Sequence, residues 1–103
     1  MLPLLRLLGL GQRAGSVVSG DEAVRAKLQR HQVKLVIIAE DAAETTRKDF
    51  GSLARKYGVP CVFCCTKEKL GAAIGKSPRA VLALLDQNLA RRVVGYLQAN
   101  ADK

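Results

Sequence analysis

Apolar residues along this chain fall into segments whose spacing alternates between that of helices and that of strands. The leucines from Leu4 to Leu10 predict a first helix, which should fray near Gly11 and stop by Gly15. Residues 16–18 then read as a short strand. The chain is therefore expected to begin with a helix followed by a strand.

The middle of the chain contains the clearest strand. The run Leu-Val-Ile-Ile-Ala at 35–39 is unbroken and rich in β-branched residues, which is typical of a strand buried on both faces. A second helix begins before it, at the start signal Ser-Gly-Asp of residues 19–21. A third helix follows it, passing through Thr46 to Tyr57 and ending at Gly58.

The last part of the chain continues the alternation. A third strand is predicted at 59–65, then a short helix that is capped by residues 66–68 and closed by Gly75. Residues 80–85 are assigned to a fourth strand, although their composition also suits a helix. Residues 86–88 open the terminal helix.

The alternation of helices and strands predicts an α/β sandwich, with helices on both faces of a small central sheet. The 103 residues fit a single domain, and the chain shows no repeat, linker or low-complexity tract. We expect one domain over 1–103, with 98–103 as a frayed tail.

The chain is strongly basic. Its 17 Lys and Arg residues against 9 Asp and Glu residues give a formal net charge of +8. A positive field of this size on a small domain attracts polyanions such as nucleic acids. The alternative is a charge that serves solubility and has no particular partner.

Targeting signals are not evident. The apolar start lacks a basic leader and a small-residue cleavage site, and it is interrupted by Arg6 and Arg13. No apolar run is long enough to span a bilayer. We therefore expect a cytoplasmic protein with no membrane association.

The three cysteines, Cys61, Cys64 and Cys65, are an odd number in one short segment, which does not suit a disulfide framework. Cys61 and Cys64 have the spacing of a metal or redox motif. A strand would send them to opposite faces, however, and His31 is the only histidine. We expect buried thiols that fill a strand, and neither a metal nor a cofactor.

Two further motifs invite catalytic interpretations. The glycine-rich run 9–15 ends a predicted helix and precedes a strand, which is the reverse of a nucleotide-binding loop, so helix termination is the favoured interpretation. Glu40 and Asp41 are adjacent carboxylates in a turn, which are expected to cap the helix that follows. The sequence therefore favours a protein that is not an enzyme.

The start of the second helix is the first candidate binding surface. A helix N-terminus presents unpaired backbone N–H groups, and a glycine there allows close approach of a base or backbone. Two carboxylates could accept from guanine or adenine amino groups, and three cations could contact phosphates. The predicted residues of this surface are Ser19, Gly20, Asp21, Glu22, Arg25, Lys27 and Arg30. The alternative is an ordinary capped helix with a solvated basic face.

The second candidate is the short basic loop before the fourth strand. Its predicted binding residues are Lys76, Ser77, Pro78 and Arg79. We expect this loop to project from the same end of the molecule as the Ser19 and Glu40 turns. Aromatic residues are scarce, so recognition of RNA by shape and backbone fits better than base stacking. The alternative is a plain connection.

Several segments, taken in order, resemble one known family. They are residues 7–10 with 13–14, 17–20, 34–42, 57–60, 70–71 with 74–76, and 81–86. They are similar to the kink-turn-binding superfamily of ribosomal proteins, the L7Ae and L30e type, and within it to the short bacterial YlxQ-like branch. The resemblance covers nearly the whole chain.

The resemblance implies a three-layer α/β/α sandwich with a small four-stranded mixed sheet. It also implies binding of the kink-turn, a sharply bent RNA element with tandem sheared G·A pairs. In this family the turn before the second helix reads the G·A pairs, that helix lies in the widened groove, and the loop before the last strand covers a flipped-out nucleotide. By position, the residues carried over are Gly20, Arg30, Lys67, Lys76, Ser77 and Pro78.

The chain departs from the family's RNA-binding pattern at three positions. Glu22 and Ala23 stand where relatives have Asn-Glu, and Ala26 stands where they have a lysine, although Arg25 and Lys27 flank that position. Contact with guanine would then pass to Glu22 and to backbone groups.

Our hypothesis is a monomeric, non-catalytic protein that binds structured RNA, of kink-turn type or within ribosomal RNA, as a ribosomal or ribosome-associated protein. No small-molecule substrate is expected. The alternative is a protein-interaction module on the same fold, with weak or no RNA binding. An enzyme ranks third.

Overall fold

The computed structural model describes residues 2–100 of the protein. Five helices and four strands alternate within this range. In chain order they are α1 (Leu2–Arg13), β1 (Val17–Ser19), α2 (Asp21–Gln29), β2 (Leu35–Ile38), α3 (Glu44–Lys56), β3 (Cys61–Phe63), α4 (Lys67–Ala73), β4 (Val81–Leu84) and α5 (Gln87–Asn100).

The four strands form one mixed sheet in the order β1-β4-β2-β3. β4 is antiparallel to both β1 and β2, whereas β2 and β3 are parallel. α1, α4 and α5 pack together as one layer, while α2 lies against β1 and β4 and α3 lies against β2 and β3. The expected α/β/α sandwich with a small mixed sheet is confirmed.

The core lies on both sides of the two central strands. All residues of β2 and β4 are buried, which follows from their position between other strands and beneath helices. Leu4 and Leu8 of α1 and Phe50 of α3 are also fully buried. The segment 80–85, whose composition suits either element, is a strand because it pairs with two neighbours.

The interpretation of the glycines in 9–15 as helix terminators is wrong for two of them. Gly9 and Gly11 lie inside α1, where they permit close packing: a Cβ on Gly11 would lie 3.0 Å from Val17 Cγ2. Only Gly15, with φ +75°, adopts the left-handed conformation that suits a helix terminus.

Two predicted boundaries also change. The third strand covers Cys61–Phe63 and not 59–65. It cannot extend through Cys65, because this residue takes a φ of +66°, which breaks the extended backbone. Residues 98–100, assigned to a frayed tail, belong to α5, and Asn100 Nδ2 donates to the Tyr96 carbonyl at 2.8 Å. The rest of that tail, 101–103, lies outside the described residues.

Among residues 2–100, none of the helices has the length and apolar character needed to cross a lipid bilayer.

Candidate nucleic-acid interface

The two surfaces predicted from the sequence lie side by side at one end of the sheet. The Gly20 N–H donates to the carbonyl of Val81 at 3.1 Å, which joins the β1–α2 turn to the start of β4. The Arg79 N–H donates to the carbonyl of Lys67 at 3.0 Å, which joins the loop before β4 to the start of α4. The turn, the loop and the N-terminus of α4 therefore form one continuous surface.

The turn at residues 40–41 lies at the same end, as expected. The Ala39 N–H donates to the carbonyl of Ala80 at 2.9 Å, and the Glu40 N–H donates to the carbonyl of Cys65 at 2.9 Å. These bonds extend the pairing of β2 with the neighbouring segments on both sides beyond the end of the strand. The loops that follow β1, β2 and β3 and the loop that precedes β4 thus converge.

Gly20 is the N-cap of α2 and has φ +92° and ψ 160°. A Cβ built there would meet nothing within 4 Å, so conformation and not crowding accounts for the glycine. Among residues 2–100, no side chain caps this helix end. The N–H groups of the first turn, residues 21–23, therefore lack both intrahelical and side-chain acceptors, which leaves them available to a ligand.

Ser19 does not serve as a cap, in contrast to the interpretation of this segment as an ordinary capped helix. Its Oγ accepts a hydrogen bond from Arg79 Nε at 3.2 Å. Arg79 Nη1 in turn donates to Ser77 Oγ at 2.6 Å and to the Ser77 carbonyl at 3.1 Å. Arg79 joins the loop to the turn and has no carboxylate partner within residues 2–100.

Gly71 is a residue whose role the sequence did not reveal. It is buried in α4 beneath the loop, and the Lys76 N–H donates to its carbonyl at 2.9 Å. A Cβ at this position would lie 2.7 Å from the Ser77 carbonyl carbon, 2.9 Å from Pro78 Cα and closer still to the Ser77 oxygen. The pair Leu70-Gly71 within the family-like stretch was the only signal of this contact.

Arg25 and Asp21 are engaged within the protein. Arg25 forms ion pairs with Asp21 and with Asp49 of α3, and its guanidinium lies 4.9 Å from the centre of the Phe50 ring. Arg25 therefore holds α2 against α3, and a phosphate would have to share it with two carboxylates. Glu22 is exposed and has no such partner within the described chain, so it is the free carboxylate of the turn.

The remaining predicted cations are spread over the surface. Lys76 is exposed in the loop with Ser77 and Pro78, and Lys67 is half-buried at the first position of α4. Lys27 is half-buried in the last turn of α2, and Arg30 is the exposed C-cap of that helix. Arg30 lies about 15 Å along α2 from Gly20, so it is not part of the surface formed by the turn, the loop and the N-terminus of α4.

Asp41 caps a different helix from the one expected. The sequence interpretation assigned Glu40 and Asp41 to the helix that follows them, but the N-cap of α3 is Ala43 and has no side-chain cap. Asp41 Oδ1 instead accepts from the Lys67 N–H of α4 at 2.8 Å. The prediction failed because α4 is adjacent in space and not in sequence.

The cysteines only partly match their prediction. Cys64 and Cys65 are buried as expected, but they lie beyond the end of β3, and the half-buried Cys61 is the one in the strand. Burial raises the pKa of the Cys61 thiol, while a hydrogen bond with Cys64 lowers the pKa of Cys65 to about 7. Within the described part of the chain, no group of three or more His, Cys, Asp or Glu residues is arranged to hold a metal ion.

The fold and this surface define a small, basic α/β/α domain of the ribosomal-protein type. Residues 4–94 match the Ribosomal protein L7Ae/L30e/S12e/Gadd45 family, and the chain belongs to this family. This match and the two relatives described next confirm the resemblance to the YlxQ-like branch.

Two curated relatives are described as RNA-binding protein YlxQ. The one from Bacillus subtilis is 37% identical over 88% of this chain and 91% of its own length, and the one from Enterococcus faecium is 33% identical over 85% and 84%. The large ribosomal subunit protein eL8 of Cenarchaeum symbiosum is 29% identical over 98% and 81%.

Two solved structures are also similar to this chain over most of its length. A protein of unknown function from Bacillus halodurans has a TM-score of 0.88 and 34% identity, covering 92% of this chain and 96% of its own. The Giardia lamblia 15.5kD RNA binding protein has a TM-score of 0.77 and 28% identity, covering 95% and 87%.

Proposed function

We propose that this protein binds structured RNA, without catalysis, through the surface formed by the β1–α2 turn, α2 and the loop before β4. The observation that carries the proposal is the uncapped N-terminus of α2 at Gly20, held by Arg79 beside a basic loop. The names of the relatives support it, since two are RNA-binding YlxQ proteins and one is a ribosomal subunit protein.

Each part of the surface suits a different part of folded RNA. The free N–H groups of the α2 N-terminus donate to base edges or phosphate oxygens, and the carboxylate of Glu22 accepts from an amino group of guanine. Lys27 and Arg30 lie along α2, where they contact phosphates of one strand. Lys67 and Lys76 do the same on the other side of the turn.

The RNA that fits best is the kink-turn. A sharply bent duplex presents tandem G·A edges and a displaced nucleotide within a short distance, and this surface places a helix end and a loop next to each other. Ser77 and Pro78, exposed at the loop, would cover the displaced nucleotide. We further propose that the protein is a cytoplasmic monomer associated with the ribosome.

The test is a binding titration at two or more salt concentrations with three RNAs of equal length. One contains a kink-turn, one has its G·A pairs replaced by Watson–Crick pairs, and one is a straight duplex. We expect the first to bind at least about tenfold more tightly than the others.

The other results have distinct meanings. Equal affinity for all three RNAs would contradict kink-turn recognition while keeping a non-specific role in RNA binding. No measurable binding at moderate salt would overturn RNA binding itself and favour the protein-interaction alternative.

A further inference from the structure

A second concave surface lies between α3 and the free edge of the sheet, and none of the residues proposed for RNA binding lines it. This groove has a volume of about 670 Å³. Arg47, Gly51 and Arg55 of α3 form one wall, and Cys61 and Phe63 of β3 form the other. It opens on the face of α3 that does not contact Arg25 of α2. We call it the edge groove.

The strand that borders the edge groove has an unpaired backbone edge. Within the described residues, β3 is the last strand of the sheet and pairs only with β2. Next to this pairing, the Val36 N–H donates to the Pro60 carbonyl at 3.0 Å, and the Cys64 N–H donates to the Ile38 carbonyl at 3.1 Å. In a parallel ladder the backbone N–H and C=O groups of alternate residues point to the same side. Those of Val62 therefore also face β2. The N–H and C=O groups of Cys61 and Phe63 therefore point outward.

The side chains of the edge groove combine an apolar contact with positive charge. Phe63 is 49% exposed, one of the two large hydrophobic residues with high exposure in the described chain. Neither Arg47 nor Arg55 has an ion-pair partner within residues 2–100. The third cation of the groove, Lys48, forms only an exposed ion pair with Glu44 at 3.0 Å.

Small residues keep the edge groove open. A Cβ on Gly51 would meet nothing within 4 Å, although this glycine is inside a helix that an alanine would stabilise. Ser52 lies beside it on the same wall. The residues that line the groove include no carboxylate, so its occupant has to supply the negative charge.

We propose that the edge groove binds an extended acidic peptide segment, which pairs with β3 as a fifth strand and lies alongside α3. An unpaired strand next to a helix is the arrangement in which peptides add to a sheet, with backbone bonds for affinity and side-chain contacts for specificity. Glutamate or aspartate side chains of the segment would face Arg47 and Arg55, and an apolar one would contact Phe63.

A peptide fits this surface better than a single-stranded nucleic acid. Single-strand binders stack successive bases on several aromatic rings, and Phe63 is the only aromatic residue lining this groove. The outward N–H and C=O groups at Cys61 and Phe63 have instead the two-residue spacing of an extended polypeptide. The proposal does not depend on the RNA site.

The experiment uses the full chain and a synthetic peptide of about eight residues that alternates glutamate and valine. We expect saturable binding, shifts of the backbone amide resonances of Cys61 and Phe63, and slower hydrogen exchange at both. Two versions of the peptide, each N-methylated on alternate residues, keep the same charge and side chains. Backbone pairing predicts that one of them loses binding and the other retains it.

Two pairs of variants locate the site. Gly51→Leu fills the edge groove and should weaken peptide binding at least about tenfold, whereas Gly95→Leu, at a similarly open glycine of α5, should leave it unchanged. Arg55→Gln should weaken binding about threefold or more, whereas Arg91→Gln, an exposed cation of α5, should have little effect.

Other outcomes overturn the proposal. These are failure of the peptide to bind, equal binding of the same peptide with lysine in place of glutamate, or equal loss for both N-methylated versions. Protection of Cys61 and Phe63 by a single-stranded oligonucleotide, but not by the peptide, would assign the edge groove to nucleic acid. Kink-turn affinity should be unchanged in Gly51→Leu, which keeps this result separate from the RNA proposal.

Discussion

Three glycines illustrate how different the physical reasons for one residue type are. Gly20 has a positive φ with open space around it, so only its backbone conformation favours glycine. Gly71 has no room for a side chain because the backbone of Ser77 and Pro78 lies against it. Gly51 has ordinary helical backbone and open space, so neither reason applies.

These differences give opposite predictions for alanine substitutions. Gly71→Ala should force the 76–79 loop away from α4, lower the free energy of unfolding by about 1–3 kcal/mol and weaken RNA binding. Chemical denaturation measures the change in the free energy of unfolding, and the kink-turn titration measures the change in RNA affinity. Unchanged RNA affinity in a folded Gly71→Ala protein would exclude the loop from the interface.

Gly51→Ala serves as the matched comparison. It adds a better helix former without a clash, so it should raise the free energy of unfolding by about 0.5–1 kcal/mol and leave RNA binding unaltered. A loss of stability in denaturant would show that the α3 backbone at this position is not what the structure describes.

The N-termini of α4 and α2 differ in how they are capped. The short helix α4 has two caps, because Thr66 Oγ1 accepts from the Lys69 N–H at 3.2 Å and Asp41 Oδ1 accepts from the Lys67 N–H. In contrast, α2 has no side-chain cap from the part of the chain that the structure describes. A free helix end costs stability, and one that faces the proposed site leaves its N–H groups for a ligand.

Removal of the distant cap should therefore affect both folding and binding. Asp41→Ala leaves the Lys67 N–H without its acceptor and should cost about 1 kcal/mol in the free energy of unfolding. It should also weaken RNA binding modestly, because Lys67 is no longer held in place. Thr66→Ala removes the other cap and is the control: a comparable stability loss with unchanged RNA affinity is expected.

At the scale of the whole molecule, net charge and direct phosphate contacts affect RNA binding in different ways. A domain of charge +8 attracts RNA over a distance, but only the cations in contact with phosphates contribute to the salt dependence. Arg30 is exposed at the C-terminal end of α2, whereas Arg91 is exposed on α5, which lies in the other helical layer.

Arg30→Ala should therefore weaken RNA binding and reduce the slope of log affinity against log salt by about 0.9, the contribution of one phosphate contact. Arg91→Ala removes the same net charge and should leave the slope nearly unchanged. Equal slopes for the wild-type protein and Arg30→Ala would remove Arg30 from the interface and confine the site to the turn and the loop.

Much of the fold was predictable because its signals are local. Runs of apolar residues gave the order of helices and strands, the Ser-Gly-Asp signal gave the start of α2, and Gly75 closed the helix before the basic loop. The predicted boundaries of strands and helices were less accurate where the course of the backbone depends on contacts with residues distant in the sequence. The end of β3 at Phe63 depends on how the following segment turns into the core, which no periodicity reveals.

The sequence by itself determined the α/β alternation, the family and the two segments that form the proposed RNA surface, because spacing, glycine and proline act on neighbouring residues. Only the tertiary structure decided which distant groups meet: Asp41 with the end of α4, Arg25 with Asp49, and Gly71 with the loop. It alone revealed the open edge of β3 beside α3. Such contacts join residues far apart in the chain, so they arise from packing and leave no local pattern.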